Sequence, residues 1–144
     1  MKVPIEEIEV GYELPPLSHV MNVPGMAQGV MIDPDSGEGN PIHFDEQFSR
    51  QQGLKAPVAT GITSAFYANQ LLTEFFGEDW LKGGSLATQF IAPMYLAETI
   101  VCRAKVTGKI KEDTGYRLNM DLWAEKSSGQ TNMVGSASVC VQRK

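Results

Sequence analysis

Two side chains able to exchange protons stand five positions apart in the stretch Ser36 to Asp45: the carboxylate of Glu38 and the imidazole of His43. Gly37, Gly39 and Pro41 punctuate the stretch and mark it as a loop. A carboxylate and an imidazole sharing one loop make a pair for general acid–base work, because histidine changes its charge near neutral pH. Loops held by a rigid scaffold are where such chemistry collects. Read one at a time, the same residues also fit a solvated glutamate and a hydrogen-bonded structural histidine. Asp45 reads as a helix N-cap rather than a third acid. The other histidine, His19, stands alone in a loop-like stretch and reads as a surface residue. The two histidines lie far apart, and neither a cysteine cluster nor a His-x₃-His spacing accompanies them, so no metal site is expected. A serine nucleophile is not expected either, since the chain has no Gly-x-Ser-x-Gly elbow. Methionines such as Met21, Met94, Met120 and Met133 read as core filler.

The elements around the loop follow from periodicity. Ile8, Val10, Tyr12 and Leu14 alternate with polar positions and predict a half-buried strand ended by Pro15-Pro16. Pro24 opens a predicted short helix over residues 25–33, which Pro34 stops. Asp45 caps a second short helix running to Gln52, with Gly53 as its stop. From Pro57 to Phe76 the apolar residues fall three and four apart on much of the circumference, which predicts a long buried helix ended by Gly77. Beyond Gly83-Gly84 the period drops to two through four segments, around residues 86–92, 99–106, 116–124 and 133–141. Residues 108–115 and 127–130 read as hairpin connections. One edge strand, a central helix and four antiparallel strands predict an α+β fold in which a single sheet covers the helix. No repeat or low-complexity linker interrupts the chain, so residues 1–144 are expected to form one domain.

The 144 residues carry a net charge of −5 with no Lys/Arg cluster, which argues against nucleic acid as a partner. No apolar run has the length a membrane span needs, so no membrane partner is expected. Neither the acidic N-terminal stretch nor Gln142-Arg143-Lys144 reads as an address, and a cytoplasmic location is expected. Cys102 and Cys140 fall in strand-like segments and read as reduced packing residues.

Three motifs, taken together, resemble a known family. Gly-Glu-Gly-Asn-Pro-Ile-His-Phe-Asp, then Pro-Val-Ala-Thr-Gly-Ile-Thr-Ser from Pro57, then Phe-Ile-Ala-Pro-Met-Tyr from Phe90 are similar to the MaoC-like dehydratases, the (R)-specific enoyl-CoA hydratases of the hot-dog fold. The likeness runs from about Leu14 to Val141. It implies a long central helix wrapped by a curved antiparallel sheet, and no cofactor or metal. It also implies an acyl-CoA or acyl-carrier thioester as substrate partner, and a homodimer or higher homo-oligomer. The family pattern Asp-x-Asn-Pro-x-His holds its catalytic pair, which falls here on Glu38 and His43. The histidine is kept and the aspartate is a glutamate. The family often has His where Thr60 stands, and Gly-Asp where Ala97-Glu98 stands.

Adding water across an α,β-unsaturated thioester requires a held and deprotonated water at Cβ, a proton for Cα, and a stabiliser for charge on the thioester oxygen. Glu38 and His43 together suit the first task, and residue types alone leave open which of them is the base. The amide of Gly61 falls in the first helical turn, where N–H groups lack intrahelical partners and the dipole favours negative charge; it is the candidate oxyanion donor. Asn40 is expected to orient the loop or the substrate. Ser64, one turn on, is expected to hydrogen-bond the thioester side or His43, or to bond back to the Thr60 carbonyl. Arg50 and Lys55, just before the helix, are candidates for CoA phosphates. Phe66, Tyr67, Phe75 and Phe76 are candidates to line or plug an acyl tunnel. Glu38 is one methylene longer than Asp, and the flanking glycines permit the loop to retract around it. Two other readings share the fold: a thioesterase, recognised by thiol release, and a catalytically silent acyl-CoA-binding or assembly subunit.

Overall fold

The C-terminal half folds as its alternating pattern dictates. A computed structural model describes residues 3–22 and 40–142. In it, β3 (Thr99–Glu112), β4 (Gly115–Lys126) and β5 (Thr131–Gln142) form a continuous antiparallel meander. Their alternate residues Ile100, Cys102, Ala104 and Val106, then Leu118, Met120, Leu122 and Ala124, then Ala137, Val139 and Val141 are buried on one face. That face receives the long helix α2 (Gly61–Phe76), whose Ala68, Leu71, Leu72, Phe75 and Phe76 complete the core. The two remaining strands, β1 (Leu17–Val20) and β2 (Ser85–Phe90), complete a five-stranded sheet in the order β1-β3-β4-β5-β2, every neighbour antiparallel. A curved antiparallel sheet around one helix is the hot-dog fold.

Element types match the sequence pattern, but several boundaries move, each because tertiary hydrogen bonds overrule local periodicity. The first strand lies after Pro15-Pro16, not before it. The Tyr12 amide donates to the Glu9 carbonyl at 3.0 Å, and Gly11 takes φ +96°, a left-handed turn that breaks the alternation of residues 8–14. That stretch still pairs with β3: the Gly11 and Leu14 amides donate to the carbonyls of Val106 and Ala104.

The central helix starts at Gly61 rather than near Pro57. The amides of Val58 and Ala59 are already committed, to the carbonyls of Ile42 (3.0 Å) and Met94 (2.9 Å), so residues 58–60 stay extended. The helix is not buried all round, for Ile62 and Phe66 are 45% and 47% exposed. Gly77 ends it with φ +61°. Asp45 caps α1 (Glu46–Gln51), accepting from the Phe48 amide at 2.9 Å.

A third helix, α3 (Glu78–Gly83), was not expected, because six residues hold too few periods to register. It seats the buried Trp80, whose indole N–H donates to Asn69 Oδ1 at 2.8 Å. The β3–β4 hairpin is also longer than its pattern implied, with only Asp113 and Thr114 between the strands. The helix expected over residues 25–33, and Glu38 with it, lie outside the described residues.

Candidate active site

The loop that carries His43 is fixed by its own polar groups. Asn40 Oδ1 accepts from the Ile42 amide at 3.2 Å and so caps the 3₁₀ turn Pro41–His43, with proline in the first position where no amide is needed. Ile42's carbonyl is gripped twice, by the Ser49 hydroxyl and by the Val58 amide, each at 3.0 Å. The His43 ring then reaches the strand-like segment before α2, where its Nδ1 lies 2.8 Å from the Val58 carbonyl oxygen. A carbonyl oxygen only accepts, so Nδ1 carries the proton. This bond directs the proton to Nδ1 and turns Nε2 away from the Val58 carbonyl.

Val58 is also a wall of the cleft that follows. The cleft has a volume of about 330 Å³ and is enclosed by residues 58–61 and 90–94, together with Ser64 and Asn132. Its walls are mostly apolar, and its polar lining residues are few: Thr60, Ser64 and Asn132, beside the first turn of α2. Phe90 packs against Gly61 so closely that a Cβ there would stand 2.7 Å from the ring. Glycine thus lets the edge strand lie against the helix N-terminus while keeping the amide open. Thr60, at the position before the helix, is buried, and its hydroxyl meets that of Thr63 at 2.9 Å.

Of the residues singled out by sequence, Gly61 and Ser64 line this cleft, whereas His43 is not among its lining residues and touches its wall only through the bond to the Val58 carbonyl. The Ser64 hydroxyl meets neither His43 nor the Thr60 carbonyl among the described residues; it accepts from Asn132 Nδ2 at 3.0 Å. Arg50 is held by Glu46 through Nε at 3.1 Å and Nη2 at 2.7 Å, on the exposed face of α1. Lys55 Nζ lies 4.4 Å from the centre of the Tyr95 ring and 3.8 Å from the Glu98 carboxylate. Lys126, only 5% exposed, approaches the same ring and the same carboxylate, the latter at 3.1 Å. Phe75 and Phe76 belong to the core, and Tyr67 stacks on His19 with centroids 3.9 Å apart, so none of these three lines the cleft. His19 is accordingly not a loop surface residue. It sits in β1, half-buried, with Nε2 3.1 Å from Gln70 Oε1. Beside it, burial pushes the Cys102 thiol up to about 12, which leaves it inert as a nucleophile. Among the described residues no three His, Cys, Asp or Glu side chains come together as a ligand set.

Asn132 went unnoticed in the sequence. It follows a Ser-Ser-Gly turn at the start of β5, where asparagine passes for a turn residue. Its partner Ser64 lies 68 positions away, a separation that no local pattern signals.

Residues 34–122 match the family model described as "MaoC like domain", and the chain belongs to that family. Among curated proteins, it is 30% identical over 66 residues to the peroxisomal multifunctional enzyme type 2 of Mus musculus, a match covering 45% of this chain. That match spans 9% of the mouse protein's length, so the two share a segment only. Among solved structures, the R-hydratase PhaJ1 from Pseudomonas aeruginosa superimposes with a TM-score of 0.79 at 18% identity, covering 99% of this chain and 88% of the other. The (R)-hydratase from A. caviae involved in PHA biosynthesis gives 0.73 at 20% identity, covering 94% and 98%. The MaoC-like dehydratase from Rhodospirillum rubrum gives 0.78 at 17% identity and covers 97% of each chain. At these identities the structures establish a common fold.

Proposed function

We propose that the chain, residues 1–144 acting as one hot-dog domain, is an acyl-thioester hydratase/dehydratase. It adds water reversibly across a 2-enoyl-CoA or acyl-carrier thioester to give the (R)-3-hydroxyacyl thioester. The observation that carries this reading is the bond from His43 Nδ1 to the Val58 carbonyl, on the wall of the cleft that opens at the N-terminus of α2. On this reading the bond holds the His43 proton on Nδ1 and leaves Nε2 to act as the base, with the helix start receiving negative charge.

In this mechanism Glu38 and His43 hold a water, and Nε2 takes its proton as oxygen bonds to Cβ. The electrons move to the thioester oxygen, where the Gly61 amide stabilises them. The proton then passes to Cα. Dehydration runs the same steps backwards. The reading places the protein in the cytoplasm. It also expects a second copy against the open edge strand β2, near which Phe90, Ile91, Ile62 and Phe66 are exposed.

The test is loss of enoyl-thioester absorbance with crotonyl-CoA. The wild-type chain is expected to hydrate it, and His43→Gln to lower kcat by about 10²–10⁴ with an unchanged melting temperature. Glu38→Gln is expected to lower it as well; unchanged activity there would remove Glu38 from the mechanism. Free thiol released from acyl-CoA without hydration would make the protein a thioesterase. Binding without turnover would make it a silent subunit.

A further inference from the structure

The Asn132–Ser64 pair has no task in the steps just described. Asn132 is 3% exposed and lines the cleft. Its Nδ2 donates to Ser64 Oγ, and its Oδ1 is buried with no hydrogen-bond partner among the described residues. An orphaned buried carbonyl oxygen costs stability and demands an explanation. Its main-chain carbonyl is meanwhile fixed by the Ile91 amide at 2.9 Å, so the side chain is anchored at its base.

The chemistry of the missing partner follows from the pair. Oδ1 needs a donor. Ser64 Oγ has already accepted from Asn132, and its own hydrogen remains the donor of the pair. A group that gives one hydrogen bond and takes one closes the circuit, and a hydroxyl does both. Turning the amide over exchanges donor for acceptor at each contact and still leaves a place that a hydroxyl fits. For an acyl chain laid along α2 from a carbonyl held at Gly61, position along the helix selects which hydroxyl. Ser64 lies one turn after Gly61, about 4.5 Å of helix rise. That is three or four carbon–carbon bonds beyond a thioester carbonyl held at Gly61, past the carbon that reacts with water.

Building on the hydratase reading, we propose that Asn132 and Ser64 form a hydroxyl-binding subsite in the acyl part of the cleft. The chain then takes acyl thioesters bearing a hydroxyl at the fourth or fifth carbon in preference to plain alkyl acyl groups.

Saturated ligands test this without turnover. Calorimetric titration would compare butyryl-CoA with 4-hydroxybutyryl-CoA, and pentanoyl-CoA with 5-hydroxypentanoyl-CoA. In at least one pair the hydroxylated ligand is expected to bind about 3- to 10-fold more tightly, the worth of a net hydrogen bond. Asn132→Ala is expected to erase that preference while binding the plain ligand within about twofold of wild type. Asn132→Leu, which fills the space without a polar atom, is expected to erase it too and to serve where Asn132→Ala folds poorly. Equal affinities within both pairs in the wild-type protein overturn the proposal, as does a preference that survives in the variants. Crotonyl-CoA hydration separates the two readings. A hydroxyl preference without hydration leaves the subsite standing and removes the hydratase. Hydration without a preference does the reverse.

Discussion

At the scale of single residues, the least comfortable position in the backbone is Ala97, which takes φ +65° and is the only non-glycine residue with positive φ among those described. Left-handed backbone costs an L-residue with a Cβ about 1–2 kcal/mol. Hydrogen bonds on both sides hold it there: the Ala97 amide donates to the Met21 carbonyl at 2.9 Å, and the Glu98 amide to the Tyr95 carbonyl at 3.2 Å. Glycine, the residue that the family resemblance leads one to expect here, is the residue the geometry favours. Ala97→Gly is therefore expected to stabilise the protein, by about 0.5–1 kcal/mol once the greater freedom of glycine in the unfolded chain is subtracted. Thermal denaturation should rise by about 1–4 °C. The neighbouring departure, Glu98 in place of Asp, has a visible use. One carboxylate oxygen accepts from the Tyr95 amide at 2.8 Å, and the same group neutralises the nearly buried Lys126. At this scale the sequence was legible where residue type dictates local structure, as at Asp45, whose carboxylate caps α1. It was silent at Asn132, whose meaning depends on a neighbour from another element.

At the scale of elements, close packing of main chains is what the glycines record. A Cβ on Gly135 of β5 would overlap the carbonyl oxygen of Ala87 on β2. Because that atom is backbone, a side chain there can be accommodated only by pushing the edge strand away. Gly135→Ala is expected to cost about 1–3 kcal/mol, as overpacking does. Hydrogen exchange should speed up selectively in Ser85–Phe90, and equal acceleration across β3 and β4 would count against this account. The four C-terminal strands and the central helix were readable from alternation and helical spacing, since each buries one face along many residues. Boundaries were not. The start of α2 depends on the carbonyls of Ile42 and Met94 claiming the Val58 and Ala59 amides, and the early turn at Gly11 depends on pairing with β3. Such bonds join distant parts of the chain, and local periodicity carries no trace of them.

At the scale of the whole molecule, the sheet ends on one side at β2, whose outer edge is unpaired among the described residues. An open edge flanked by exposed apolar side chains is a pairing surface. The protein is expected to sediment as a dimer or higher oligomer in analytical ultracentrifugation. Phe66→Asp, at an exposed position of α2, should shift it toward monomer without changing its circular dichroism. A wild-type protein that sediments as a monomer at micromolar concentration would leave β2 as a bare edge and remove the second copy from the functional reading.

The bond from His43 ends on main chain, not on a side chain, and this bears on how the site tolerates mutation. Every residue placed at position 58 brings the same carbonyl oxygen, so the genetic code has no single-codon route to deleting that acceptor. Substitution there alters the wall of the cleft while the histidine keeps its proton on Nδ1. The orientation of the imidazole is in this way insulated from sequence drift at Val58, and the cleft wall is free to diversify around it.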